Sequence, residues 1–442
     1  MPGFDADTLA AWTAGTWTAR PAGEVAGFAI DSRRLPPGSM FVALRTAQRD
    51  GHDFLGAAQA AGAAAALVAR ARPDCDLPQL VVGDPLAAFQ AIAGAHRRRF
   101  AGPVVGVTGS AGKTSTKELL ARLLGPEAAA TAGNLNNHLG VPLTLTSLQP
   151  GRHRFAVVEA GISAPGEMRT LAEMIAPDVA LVTLVGPAHL EELGGMEGVA
   201  REKAELARHV RPGGVALFPD ACRRWAAFAS LATPALDLDF TQRTAGSGRE
   251  IELRLGGRSE RYFLPAASEG MGQNAALAVR TARHLGVGED IVRERLAGWR
   301  PAALRGEIRQ DGGRLLYLDY YNANPASMGD ALEAFDRLTA AAGARLFVVG
   351  CMEELGAQTE AYHEELGRAL PLRDGDRVLL IGEQADAVRR GAGARAAQIA
   401  ELAGAAEAAP RVADFSGPIF VKGSRRHRLE LALSAPPAPL PC

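Results

Sequence analysis

The stretch Gly106–Glu118, GVTGSAGKTSTKE, decides how the rest of the chain is read. It opens inside an apolar run, Val104–Thr108, and leads into KTSTKELLARLL at 113–124, whose spacing predicts a helix. Gly109 and Gly112 let the backbone turn tightly, so that successive N–H groups and the helix N-terminus face an anion. Lys113 adds a point charge for the outer phosphates, and the hydroxyl of Thr114 or Ser115 can reach a magnesium ion. A strict P-loop has glycine where this chain has Val107, so the motif is the shorter TGxxGKT form.

Working outward from the loop, strand-like VVGVT (104–108), RFAVVEA (154–160), VALVTLV (179–185) and GVALFP (214–219) alternate with helical stretches. That alternation implies parallel βαβ units, and an α/β class for the chain. A small hairpin is expected at 249–264 and two helices over 272–298. After GWRPAALRGE the strands RLLYLDY, RLFVVGC, RVLLIGE and PIFVKGS predict a second α/β sheet. Before the loop, FAI and MFVAL flank the turn DSRRLPPGS, AAQAAGAAAALV reads as helix and QLVVG as strand. At 442 residues the chain is too long for one core. We divide it at 1–98, 99–300 and 301–442.

The bulk numbers exclude several classes. With 47% hydrophobic and 22% charged residues the chain is neither disordered nor fibrous. A formal net charge of −1 gives no global field to attract nucleic acid or anionic lipid. Cys75, Cys222, Cys351 and Cys442 form no CxxC pair, which argues against a disulfide framework or structural zinc. The N-terminus lacks the apolar core of a secretory signal, and AAGAAAALVA at 60–69 is about half the length of a membrane span. A cytoplasmic location without membrane insertion is expected.

Other residues stand at places where α/β sheets bind ligands, the C-terminal edges of strands. Glu159 closes RFAVVEA; a carboxylate there can take the metal ion of a bound nucleotide. His189, after VALVTLV, is either a structural histidine or a second metal position. In GNLNNHLGVP (133–142), Asn134, Asn136 and Asn137 suit recognition of a polar substrate and equally suit plain turn chemistry. Asp319 and Asn322 in LDYYNANPASM, and the segment RLFVVGCMEELG, put polar groups at the edge of the second sheet, where they could face the first across a cleft. Lys203 reads by itself as a surface lysine.

Taken together and in order, these motifs resemble the Mur ligase family, which adds amino acids or peptides to the UDP-linked muramoyl precursor of peptidoglycan. The likeness spans nearly the whole chain: DSRRLPPGSMFVAL and DGHDF, then TGSAGKTSTKE, GNLNNHLGVPLT, EAGISAPGEM and AHLEELGGMEGVAREKAE, then YNANPASM, MEELG and VKGSR. GNLNN with YNANP is the pattern of the members that join D-alanyl-D-alanine to UDP-N-acetylmuramoyl tripeptide.

The resemblance implies three domains: one for the UDP substrate, a central P-loop ATPase, and a Rossmann-like C-terminal domain that receives the amine. It implies ATP and Mg²⁺ as cofactors, no nucleic-acid partner, and a monomer. Gly109, Ser110, Gly112, Lys113, Thr114 and Ser115 would hold ATP phosphates, with Asn274, Arg305 and Asp319 also serving the nucleotide. Thr114 and Glu159 would hold one magnesium, and His189 would help bind a second. Lys203 matches a lysine that the family carbamylates to make a metal-binding carboxylate, which moves it from surface to catalytic. Ser32 and Arg33 would lie near the uridine diphosphate and the Asn134–Asn137 loop near the muramoyl peptide. Tyr321, Asn322 and Asn324 would serve the interdomain cleft.

Three positions depart from the family pattern. EGMGQNAAL keeps only Asn274 where a His-Asn pair usually precedes the asparagine; Leu318 replaces the first acid before YNANP, and Cys351 replaces the acid of GDM. Two rivals are weighed: a Mur-type ligase with another amine acceptor, disfavoured by GNLNN and YNANP, and a non-catalytic nucleotide-binding subunit. The second is disfavoured because a binding module could lose His189 and Lys203 without penalty.

Overall fold

A computed structural model describes residues 3–433; Cys442 lies outside the described residues. The first sheet has order β1-β5-β4-β3-β2, from Thr16–Trp17 (β1), Phe28–Ala29 (β2), Met40–Val42 (β3), Ala65–Val68 (β4) and Gln79–Val81 (β5). Only β1 runs antiparallel to its neighbour. Here one expectation fails. Of AAQAAGAAAALV, the front lies in a helix, Leu55–Ala60, but the back is β4. Gly62, at φ +87°, breaks the helix, and complete burial between β3 and β5 overrides the helical preference of the alanines.

The helix Pro85–Arg99 leaves this sheet, with Asp84 accepting from Leu86 and Ala87 N–H groups at its start. Its last turn anchors the following domain. The buried Arg97 guanidinium donates to the carbonyls of Ile175 and Ala176 and to Asp178 Oδ2 at 2.7 Å.

The central sheet is wholly parallel, in order β10-β9-β6-β8-β7: Val104–Thr108 (β6), Ala128–Ala130 (β7), Phe155–Glu159 (β8), Val179–Val182 (β9) and Val215–Leu217 (β10). β6 is buried throughout, as a strand covered on both faces must be. The chain places β8 on one side of β6 and β9 on the other, so the strand order reverses at β6. A ligand crevice opens outside the strand ends at such a reversal.

The expected hairpin at 249–264 is present as Gly248–Leu255 (β12) and Arg258–Leu264 (β13), with Phe240–Ala245 (β11) as a third strand. Gly256 and Gly257, at φ +56° and +81°, supply the positive angles a two-residue hairpin turn requires. The two expected helices are Glu269–His284 and Glu289–Ala297.

The last sheet has order β14-β15-β19-β16-β17-β18, from Glu307–Asp311 (β14), Arg314–Asp319 (β15), Leu346–Gly350 (β16), Arg377–Ile381 (β17), Ile399–Leu402 (β18) and Ile419–Lys422 (β19). All pairings are parallel except the edge pair β14–β15. Leu318 is fully buried in its core, and Cys351 packs in the apolar cluster it shares with the central domain. Burial pushes the Cys351 thiol up to about 11, so the position is apolar in character. No helix among the described residues is long and apolar enough to cross a membrane.

Candidate active site

The phosphate loop begins where β6 ends. Val107 is a strand residue, fully buried and in register with Glu159 of β8 and Leu181 of β9, so a branched apolar side chain suits it. The turn proper starts at Gly109, φ +150°, and closes at Gly112, φ +78°. Ser110 N–H donates to Leu184 O at 3.0 Å, and Ser110 Oγ donates to Gly186 O at 2.7 Å and accepts from Gly186 N at 3.0 Å. The Ser110 hydroxyl therefore ties the loop to the segment after β9. Lys113 starts the helix Lys113–Leu124 and reaches back to Gly109 O at 2.7 Å. Burial lowers its pKa, Glu159 opposing and Arg305 adding to the shift.

Glu159 is the charged centre of this arrangement, 1% exposed. Its Oε1 accepts from Thr114 Oγ1 at 3.0 Å and from Asn136 Nδ2 at 2.8 Å. Its Oε2 is buried with no hydrogen-bond donor; the nearest cation, Lys117 Nζ, is 4.0 Å away. A buried carboxylate oxygen without a donor costs about 1–3 kcal/mol or more. A hard cation held between Thr114 and Glu159 would satisfy it. Of the two hydroxyls considered from the sequence, Thr114 is the one beside the carboxylate.

A cleft of about 460 Å³ opens over this centre. It gathers Ser110, Gly112, Lys113, Thr114 and Ser115 of the loop, then Asn134, Asn136, Asn137, Glu159, His189 and Asn274. From the C-terminal domain come Arg305, Asp319, Tyr321, Asn322 and Asn324. In the asparagine loop the turn chemistry is evident. Asn137 Oδ1 accepts from the N–H groups of Leu139 and Gly140, which is turn chemistry, and Asn136 is committed to Glu159. Asn134 remains exposed at the rim.

Asn274 lies directly against the loop: a Cβ at Gly112 would stand 2.6 Å from its amide atoms. Asn324 caps the helix Pro325–Leu338 through Ser327 N and donates from Nδ2 to Ser110 O at 3.0 Å, joining the last domain to the loop. Arg305 stacks over Tyr321 at 4.0 Å from the ring centre.

Three predicted residues stand outside the cleft lining besides Gly109. Lys203 is on the helix Met196–Arg208, 3% exposed and not on the surface as its own sequence context implied. Burial and the positive Lys113 lower its pKa well below the ordinary lysine value, and Glu202 opposes weakly. No hydrogen bond or ion pair holds its amine among the described residues. Ser32 and Arg33 lie on a turn of the first domain, where Arg33 makes a two-point ion pair with Asp31 at 2.9 and 2.8 Å and holds that carboxyl at about 2.

Four side chains were not singled out from sequence. Lys117, 2% exposed, donates to Thr131 O and Gly133 O and so fixes the entry to the asparagine loop. Lys422, 1% exposed at the end of β19, pairs with Asp319 at 2.6 Å and lines the cleft. Burial raises the Asp319 pKa, and Lys422 opposes the rise. Glu354 faces His189, its Oε2 being 2.7 Å from Nδ1, and Asp330 receives Gly270 N–H across the domain boundary. A signal was available for Lys422, which ends the apolar run Ile419–Val421, but not for Lys117, which sits in the polar TSTKE.

A glycine turn at a strand reversal, a buried hydroxyl–carboxylate pair and a polar cleft between two α/β domains define a nucleotide-dependent enzyme of the P-loop type. Family comparisons make the class specific. The Mur ligase middle domain matches residues 107–255, the Mur ligase glutamate ligase domain 304–425, and the Mur ligase family catalytic domain 24–97. The chain belongs to the Mur ligase family.

Within the family it is 36% identical over 378 residues to the UDP-N-acetylmuramoyl-tripeptide–D-alanyl-D-alanine ligase of Escherichia coli (strain K12), covering 82% of each chain. Its fold is similar to that of MurF from Acinetobacter baumannii, with a TM-score of 0.88, 32% identity and 98% of both chains covered. MurF from Thermotoga maritima, solved in complex with ADP, superposes with a TM-score of 0.80 at 28% identity, over 92% of this chain and 96% of that one.

Proposed function

We propose that the chain is an ATP-dependent ligase that joins D-alanyl-D-alanine to UDP-N-acetylmuramoyl tripeptide, acting in the cytoplasm as a monomer. The observation that carries the reading is the buried Glu159 carboxylate, hydrogen-bonded to Thr114 on the phosphate loop and left with one oxygen open to a cation. Similarity to the E. coli enzyme over most of both chains supports the choice of substrates.

In this reading the tripeptide carboxylate attacks the γ-phosphorus of ATP, ADP leaves, and the dipeptide amine then displaces phosphate from the acyl carbon. Carboxylate and triphosphate are both anionic, so the protein's work is positioning and charge neutralisation. The loop N–H groups and Lys113 hold the phosphates. Asn274, against the loop, and Arg305, stacked on Tyr321, would serve the nucleotide. Mg²⁺ bound by Thr114 and Glu159 would neutralise the transferring phosphoryl group. His189 and a carbamylated Lys203 would hold a second ion; a buried amine with a depressed pKa is the neutral nucleophile that carbon dioxide requires. Ser32 and Arg33 would meet the uridine diphosphate. Asn134–Asn137 would face the muramoyl peptide, Asp319 would serve the nucleotide, and Asn322 and Asn324 would serve the interdomain cleft.

The test is phosphate release from ATP and UDP-N-acetylmuramoyl tripeptide, with and without D-alanyl-D-alanine. The expected result is turnover that depends on the dipeptide. Equal release without it, or a stronger response to a single amino acid, would overturn the substrate assignment.

A further inference from the structure

His189 belongs to the central domain, yet its ring is met by a residue of the C-terminal domain. Nδ1 lies 2.7 Å from Glu354 Oε2. Nδ1 is the buried nitrogen of the ring, and the Glu354 carboxylate lies beside it at hydrogen-bonding distance but off the ideal line. Nε2 has no protein partner among the described residues, and the histidine lines the cleft.

The backbone around the pair is equally specific. His189 at φ +51° and Glu354 at φ +64° both occupy the left-handed region that side-chain-bearing residues avoid. Such conformations persist where the surroundings over-determine them, and they gather at functional sites. Here the two loops brace one another. Leu190 N–H donates to Glu354 O at 3.1 Å, and Gly356, at φ +57°, comes so near that a Cβ there would stand 3.2 Å from Glu191 Cβ.

We propose that Glu354 is a positioning residue for His189, and that the second cation position is completed only across the domain boundary, when the C-terminal domain is seated on the central one. This rests on the reading of His189 as a cation ligand given above. A carboxylate held against one ring nitrogen of a histidine favours the proton on that nitrogen and fixes the ring, so that the other nitrogen presents its lone pair. Glu354 supplies that carboxylate, leaving Nε2 for the cation. Because the two residues come from different domains, cation binding and domain seating favour one another, and the coupling is reciprocal. Three further contacts seat the same domains: Asn324 Nδ2 on Ser110 O, Gly270 N–H on Asp330, and Arg337 on Ala267 O. None of these touches a candidate cation ligand, which sets Glu354 apart from them.

The experiment uses the full chain with a non-hydrolysable ATP analogue and Mn²⁺ as the probe, followed by electron paramagnetic resonance. The parent should bind two classes of Mn²⁺. Glu354→Ala should weaken the weaker class by about 10–100-fold, the usual loss when such a partner is removed, and leave the tighter class at Thr114 and Glu159 unchanged. Glu354→Gln, whose amide oxygen can take the same place beside Nδ1, should stay near the parent. Glu353→Ala, in the same loop, should behave as parent. X-ray scattering should show Mn²⁺-dependent compaction in the parent and less of it in Glu354→Ala. An unchanged titration in Glu354→Ala, an equal loss in Glu354→Gln, or the same loss in Glu353→Ala would overturn the proposal. A parent with a single class of Mn²⁺ would overturn the reading of His189 itself.

Discussion

Replacing Gly112 by alanine tests the geometry of the phosphate loop through stability alone. Two costs follow from the structure. The residue sits at φ +78°, and an L side chain in that region costs about 1–2 kcal/mol. The new methyl would also stand 2.6 Å from both Asn274 Nδ2 and Oδ1, closer than real Cβ contacts come. Asn274 is 6% exposed, so the methyl fits only if a largely enclosed amide moves, and overpacking of this kind costs about 1–3 kcal/mol. The sum is about 2–5 kcal/mol, or a fall in Tm of about 4–20 °C for a domain of this size.

The loss should divide between backbone and contact. The Asn274 side chain makes no hydrogen bond to another described residue, so Asn274→Ala removes the obstacle and little else. In that background Gly112→Ala should cost only the backbone part, leaving a coupling of about 1–3 kcal/mol between the two sites. Calorimetry on the parent, both single variants and the double variant measures it. If Gly112→Ala costs the same in both backgrounds to within about 0.5 kcal/mol, the contact between Asn274 and the loop is wrong.

Two other perturbations bear on buried charge. Lys203→Ala should abolish turnover and recover with bicarbonate or short carboxylates only if the lysine acts as its carbamate; full activity in the variant would dismiss the role. Because the folded-state pKa of Lys203 is depressed, the native chain binds fewer protons than the unfolded one between that value and the ordinary lysine range. Stability in carbon dioxide-free buffer should therefore rise with pH across that window, and Lys203→Met should flatten the rise in thermal melts. A pH dependence identical in both proteins would contradict the shift. Arg97→Ala should cost about 3–5 kcal/mol, since the fully buried guanidinium ties the first domain to Asp178 and to two carbonyls of the second. A loss under about 1 kcal/mol by denaturant titration would show the tie to be incidental.

Much of this site was legible in the sequence because its signals are local. The glycine turn, Lys113 and Thr114 follow one strand, and Glu159 and His189 follow the strands that flank it. Hence βαβ alternation was enough to bring them together. The second sheet's contribution was legible for the same reason, with Asp319 and Asn322 at a strand end. What was not legible depends on contacts between distant segments. Lys203 has no local mark of burial, since a lysine on a helix is ordinarily solvated; only the packing of that helix against the central sheet encloses it.

Three of the missed strands have a compositional cause. β7 is three alanines, β18 lies in the alanine-rich AAQIAELAG, and β14 is the polar edge segment EIRQD, so none shows β-branched enrichment or alternation. Their pairing partners decide them: β7 is held by β8, β18 by β17 and β14 by β15. The alanines of β4 misled for the same reason. Glu354 was quoted within MEELG yet given no role, because its partner His189 lies far away in the chain and in another domain.

On the proposed function, the carboxylate of the muramoyl peptide is activated by transfer of the γ-phosphoryl group of ATP. Carboxylate oxygen labelled with ¹⁸O tests it most directly, with the released phosphate read by mass spectrometry after turnover with D-alanyl-D-alanine. An acyl phosphate leaves one labelled oxygen in each phosphate formed, and that is the result the account predicts. Unlabelled phosphate, with amide product formed at the same rate, would contradict it.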